Sequence, residues 1–146
     1  MTRRVTHSLV QALQVVPAFA TLDEHTLVHI VGASENLFWS AGSSIFEKES
    51  PGEALYIILS GKIGIFDIVD GDEVHVATIG AGDFFGEISL LLQTRHTKLA
   101  RALEDCELMV LPKESLQELL DANPALAEHV RRKAEERVPA YTPKPS

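Results

Sequence analysis

Residues 82–102, GDFFGEISLLLQTRHTKLARA, concentrate the side chains that could hold a small polar anion against the end of a helix. Gly82 and Gly86 allow a sharp backbone path, Glu87 adds a carboxylate, and Ile88–Leu92 form a short apolar run. Arg95, His96 and Lys98 then follow within four positions. A helix start offers unsatisfied N–H groups and a partial positive charge, so an anion is the natural occupant of such a stretch.

Other chemistries find less support. His75 in EVHVATIG has no second histidine two positions away, so a His-x-His metal site is not expected. SGKIG lacks the glycine spacing and Lys-Ser/Thr ending of a P-loop, and GAGDFFG does not match GxGxxG. No GxSxG is present. In DCELMVL, alternation places Cys106 with Leu108 and Val110, which reads as a core thiol rather than a nucleophile. The chain is therefore expected to be non-enzymatic.

The elements that must position residues 82–102 follow from periodicity. Leu9, Ala12, Leu13 and Val16 make one helical stripe that begins at Ser8 and is closed by Pro17. TLDE at 21–24 reads as a capping box for a second helix that buries Leu27, Ile30 and Val31 and stops near Gly32. From 36 to 111 the period shortens to that of strands, read at NLFW, SIF, ALYIILS, KIGIFDIV, EVHVATI and LARALEDCELMVL. VDGDE carries an Asp-Gly hairpin signal, and Trp39 and Phe38 read as core or helix-packing residues. Leu116, Leu119 and Leu120 share a helical face, and Asn123 with Pro124 restarts a helix carrying Leu126 and Val130. The fold class is mainly β (α+β), helices flanking an antiparallel core.

The totals agree. A chain of 146 residues suits one domain, and 45% hydrophobic with 23% charged residues is an ordinary globular balance. A formal net charge of −8 disfavours direct binding to nucleic acid or an anionic membrane. One cysteine excludes an internal disulfide, and the basic N-terminus is too interrupted for a signal peptide, so a cytoplasmic location is expected.

Several segments in order resemble the cyclic nucleotide-binding domain family, the regulatory module of catabolite activator transcription factors, cyclic-nucleotide-dependent kinases and gated channels. They are VPAFATLDEHTL, IFEKESPGEALYIILSGKIGIF, GAGDFFGEISLL and ARALEDCELMVLPKESLQELL. The resemblance implies an eight-stranded antiparallel β-roll with flanking N- and C-terminal helices, and a phosphate cassette within 82–102. It divides the chain into N-terminal helices at 1–35, the roll at 36–111, C-terminal helices at 112–138 and a flexible tail at 139–146.

Carried over residue by residue, Gly86 and Glu87 match the pair that takes the ribose 2′-hydroxyl, and Ile88 and Ser89 begin the helix facing the phosphate. In the ungapped register His96 stands where the family places its phosphate-binding arginine, with Arg95 one residue early. Thr97 keeps a hydroxyl, Lys98 replaces a small residue, and Leu99 stands where a Ser or Thr touches the purine. An imidazole cannot imitate a guanidinium's planar fork of donors. Three substitutes are open: His96 as imidazolium, Lys98 as a point charge, or a bulge turning Arg95 inward. Alternation sets Thr97, Leu99 and Arg101 on one face and Lys98 and Ala100 on the other, which favours the bulge or His96. For Arg95 and His96 the plain alternative is an exposed polar loop; for Lys98 and Arg101 it is the ordinary surface, and for Glu87 a helix cap.

The implied ligand is cAMP or cGMP without a metal, and the implied role is a regulatory sensor, related to transcription regulators, whose C-terminal helices move an effector. A homodimer is a possible partner arrangement. A nucleotide-free scaffold of the same fold is the alternative.

Overall fold

A computed structural model describes residues 3–143, with side chains from Ser8 onward. The first helix, α1 (Arg3–Gln14), begins ahead of the expected Ser8. It buries Val10 and Leu13, and the turn after it buries Val16. The second, α2 (Glu24–Ala33), is capped by Asp23, whose carboxylate accepts from the Thr26 amide at 2.7 Å. The expected Thr21 capping box does not form. Hydrogen bonds from Ala20 to Pro17 and from Leu22 to Phe19 wind residues 17–22 into turns, and Asp23, in extended geometry, supplies the stronger acceptor.

Eight strands make two antiparallel sheets of four. The first has the order β1 (Glu35–Trp39), β8 (Cys106–Pro112), β3 (Ala54–Ser60), β6 (Phe84–Phe85). The second has the order β2 (Ser44–Phe46), β7 (Leu99–Ala102), β4 (Lys62–Val69), β5 (Asp72–Gly80). The stretch expected as one long strand from 99 to 111 is two, because the chain crosses between sheets at 103–105. The short β6 was not anticipated. The Asp-Gly hairpin forms as read, with Val69 opposite Asp72 and positive φ at both Asp70 and Gly71, as a type I′ turn requires.

One apolar cluster packs the helices against the first sheet through Leu13, Phe19, Leu27, Ile57, Met109 and Val130. Another fills the roll through Ile58, Ile63, Ile65, Phe85, Ala100 and Leu108. Cys106 belongs to this second cluster, and burial raises its thiol above the ordinary value. Trp39 packs edge-on against Tyr56 at 6.5 Å. Phe38 does not join the core; it lies on outer strand β1 and is 74% exposed.

After β8, α4 (Lys113–Ala122) and α5 (Pro124–Ala140) return across the roll. Leu126 and Val130 of α5 are buried within the chain's own core. The segment expected as a flexible tail behaves otherwise: the helix runs through Pro139 to Ala140, and Tyr141 is buried. Residues 144–146 of that segment lie outside the described residues. Among the described residues, no helix is long and apolar enough to cross a membrane.

Candidate functional site

The cassette begins where β6 turns into α3 (Glu87–Leu92). Gly86 makes that corner with φ of 92°, and a Cβ there would fall 3.0 Å from both the Ala54 carbonyl oxygen and the Tyr56 ring. Both the dihedral and the space demand glycine. At Gly52 the space alone is tight, since a Cβ would fall 2.5 Å from the Ser89 hydroxyl. Beyond α3 the loop is tied to residues 49–50. The His96 amide donates to the Ser50 carbonyl at 2.9 Å, and the Glu49 amide donates to the His96 carbonyl at 2.8 Å.

Glu87 is 1% exposed and faces α5 rather than merely capping its helix. Its Oε1 accepts from Arg137 Nη1 at 3.0 Å. The same guanidinium donates to the Phe84 carbonyl at 2.7 Å and pairs through Nη2 with Asp83 Oδ1 at 2.9 Å. It also lies over the Phe84 ring, 5.6 Å from the centroid. Burial raises the Glu87 carboxyl above its ordinary value, and the charge of Arg137 offsets this only in part. The carboxylate expected to receive a sugar hydroxyl is thus already occupied on one oxygen by a cation from the C-terminal helix.

The opposite corner is apolar. His96 is neither an exposed loop residue nor an anion-facing imidazolium. It is buried and stacked flat on Phe46, with centroids 3.5 Å apart and planes 3° apart. Burial lowers the imidazole to about 4, so it is neutral near pH 7. Phe46 belongs to an aromatic group in which Tyr56 and Phe85 stack at 5.0 Å.

The remaining candidates scatter. Arg95 is exposed and donates from Nη1 to the Glu49 carbonyl at 3.0 Å, so the bulge that would turn it inward is not made. Lys98 lines the cavity and is half-buried rather than on the open surface, but its ammonium lies 3.8 Å from Asp67, which also binds Lys48 at 2.9 Å. It shares the roll-facing side with Ala100, as alternation requires. Arg101 pairs with Glu73 at 2.6 Å and sits over Phe66. Thr97 is exposed at the rim, Leu99 is buried, Ile88 lines the cavity, and the Ser89 hydroxyl donates to the Gly86 carbonyl at 3.2 Å.

What these residues enclose is small. The space among Phe46, Phe85, Glu87, His96, Lys98 and Tyr141 is about 30 Å³. Among the described residues, three buried side-chain polar atoms find no hydrogen-bond partner: Glu87 Oε2, His96 Nε2 and the Tyr141 hydroxyl. All three residues line this one cavity. A larger groove of about 740 Å³ between α3 and α4 lies outside the roll and is lined by Leu90, Leu91, Leu116 and mixed charges. None of those three unpaired atoms belongs to its walls, so the smaller space is the candidate site.

Arg137 and Tyr141 were missed by reading the cassette alone. The signal lay in α5 itself: Leu126, Val130, Ala134, Arg137 and Tyr141 follow at spacings of four, four, three and four, and all five are buried. A cation continuing a buried stripe has to meet an acid, and Glu87 is that acid. Among the described residues, no group of three His, Cys, Asp or Glu side chains could hold a metal.

Comparison with known proteins places this architecture. The cyclic nucleotide-binding domain family matches residues 37–123. The chain is 37% identical over 90 residues to the cyclic AMP receptor protein of Thermus thermophilus, covering 61% of this chain and 42% of that protein. The regulatory subunit of a cAMP-independent protein kinase A from Trypanosoma brucei shares the fold with a TM-score of 0.84 at 24% identity, covering 94% and 49% of the two chains. The corresponding Trypanosoma cruzi subunit, bound to guanosine, superposes with a TM-score of 0.81 at 26% identity over 94% and 47%. The chain spans under half the length of the curated relatives it matches. Since the family match alone takes in more than half of the 146 residues, and the β-roll is shared with regulatory proteins of known structure, the chain belongs to the cyclic nucleotide-binding domain family.

Proposed function

We propose that this domain is a non-enzymatic regulatory sensor in which a ribose-bearing ligand and the C-terminal helix compete for the same carboxylate. The observation that carries the reading is the Arg137–Glu87 pair at 3.0 Å. Similar proteins are named for cyclic AMP or were solved with guanosine, and what those ligands share is the ribose. A sugar hydroxyl donating to Glu87 weakens the acceptor that holds Arg137. The ligand also has to move Tyr141, because 30 Å³ admits nothing of nucleoside size. Ligand affinity and α5 position are then one equilibrium, and the ligand shifts it by the difference in its affinity for the two arrangements. The effector that reads α5 belongs to the same proposal: a further domain or a partner protein, as in kinase regulatory subunits and transcription regulators.

A second reading, a scaffold that binds no nucleotide, is favoured by the closure of the cavity. The two separate by hydrogen exchange and thermal shift with cAMP, cGMP, guanosine and cyclic dinucleotides at millimolar concentration. The sensor reading expects a raised Tm, since occupancy at a hundred times Kd stabilises by about 2.7 kcal/mol. It also expects faster amide exchange across the last turns of α5. No shift from any compound, in the wild type and in Glu87→Ala alike, leaves the scaffold.

A further inference from the structure

We infer that the ligand of this pocket is an uncharged ribonucleoside rather than a cyclic nucleotide; the inference rests on the sensor reading above and concerns only what the pocket will accept. The first ground is the disposition of the cations in and around the cassette, of which Arg101 is paired with Glu73. Arg95 points outward to the Glu49 carbonyl, Lys98 and Lys48 share Asp67, and Lys133 reaches Asp83 at 3.5 Å. His96, at the position where a guanidinium would meet a phosphate, is packed face to face on Phe46.

The second ground is which element carries the remaining charge. Arg137 is the buried guanidinium behind Glu87, and it sits on α5 together with Lys133 and close to Tyr141, which closes the space. Opening the cavity by withdrawing α5 takes those cations away. Left behind on the cavity wall are Glu87 and Lys98, and the Lys98 ammonium already faces Asp67 at 3.8 Å. A cyclic phosphate would therefore enter a wall whose one cation is already matched, and a monoanion buried without a counter-charge is strongly disfavoured. A neutral ligand meets no such penalty.

The third ground is the set of unpaired atoms. Of these, Glu87 Oε2 accepts only and neutral His96 Nε2 donates or accepts according to tautomer, and both stay on the roll when Tyr141 moves. These suit hydroxyl groups. Beside them Phe46 and Phe85 supply aromatic surface on the roll side. Hydroxyls on one side and a flat apolar ring on the other describe a nucleoside.

Calorimetry on the full chain at pH 7 tests this with adenosine, guanosine, their 2′-deoxy forms and their 3′,5′-cyclic monophosphates. The expected result is at least tenfold tighter binding of a nucleoside than of its own cyclic monophosphate, with the 2′-deoxy form at least tenfold weaker. His96→Arg should narrow or reverse the preference; Tyr141→Ala, which removes the closing ring without touching Glu87, provides an opened pocket where the ordering should persist. Cyclic nucleotide binding as tight as nucleoside in the wild type overturns the inference and leaves the sensor reading intact. Nucleoside binding that leaves α5 exchange unchanged sinks the sensor reading instead. No binding to the wild type or to Tyr141→Ala removes both.

Discussion

The two ends of the pocket have been built on opposite principles. At one end Glu87, Asp83 and Arg137 are charged, buried and matched to one another across fifty residues of sequence. At the other, His96 and Phe46 are stacked rings with no charge between them near neutral pH. The polar end can exchange partners without losing its chemistry, because a hydroxyl and a guanidinium both donate to a carboxylate. The apolar end cannot acquire an anion without breaking its stack. On the proposed reading, recognition of a sugar and recognition of a phosphate are separable properties of the same fold, and this chain keeps residues suited to the first.

The polar end should be the more sensitive to mutation. Arg137→Met removes the partner of a buried carboxylate and is expected to cost about 3–5 kcal/mol in urea unfolding. Adding Glu87→Gln should return most of that loss. A cost below about 1 kcal/mol in the single variant would show that the two ends do not differ as described.

Acid should find the apolar end next. His96 titrates near its ordinary value when unfolded and at about 4 when folded, so the unfolded chain takes up the proton first as the pH falls. Its contribution is fully present above pH 6.5 and is lost progressively toward pH 4, amounting to about 3 kcal/mol by that point. The comparison is sharpened by His96→Phe, which keeps a ring on Phe46 and should remove this component of the acid sensitivity. If the two proteins lose stability in parallel from pH 7 to pH 4, the imidazole is not neutral in its stack.

The smallest effect belongs to the residue that closes the space between the ends. Burial lifts the Tyr141 hydroxyl to about 12, and it finds no partner. Tyr141→Phe should therefore stabilise the ligand-free protein by about 1 kcal/mol. A destabilised variant would mean that the hydroxyl is hydrogen-bonded after all.

The roll was legible because strands and turns are written locally. Alternation in KIGIFDIV and EVHVATI, with Asp70 and Gly71 between them, specifies a hairpin without reference to anything distant. The Asp23 cap was less so: Thr21 and Asp23 are both good caps, and the turns at 17–22 choose between them. The break between β7 and β8 at 103–105 depends on which sheet each half joins, and strand propensity is silent on that. In the cassette, the register put His96 in the right place but not its orientation. Its ring turns onto Phe46, a residue fifty positions earlier whose position is set by pairing of β2 with β7. Arg137 was half-hidden for the same reason: the stripe of α5 marks it as a cation in need of an acid, but nothing beside it in sequence says that the acid is Glu87.

Pro139 lies inside α5, between Arg137 and Tyr141. Lacking an amide hydrogen, it leaves the Glu135 carbonyl without the usual acceptance from four residues on. The final turn, held by the Tyr141 amide on the Arg137 carbonyl at 2.8 Å, is joined to the rest of the helix by one bond fewer than its neighbours. Unzipping therefore has a built-in tear line: the aromatic stopper lifts away first at Pro139, and the charged clasp follows as the rest of the helix withdraws.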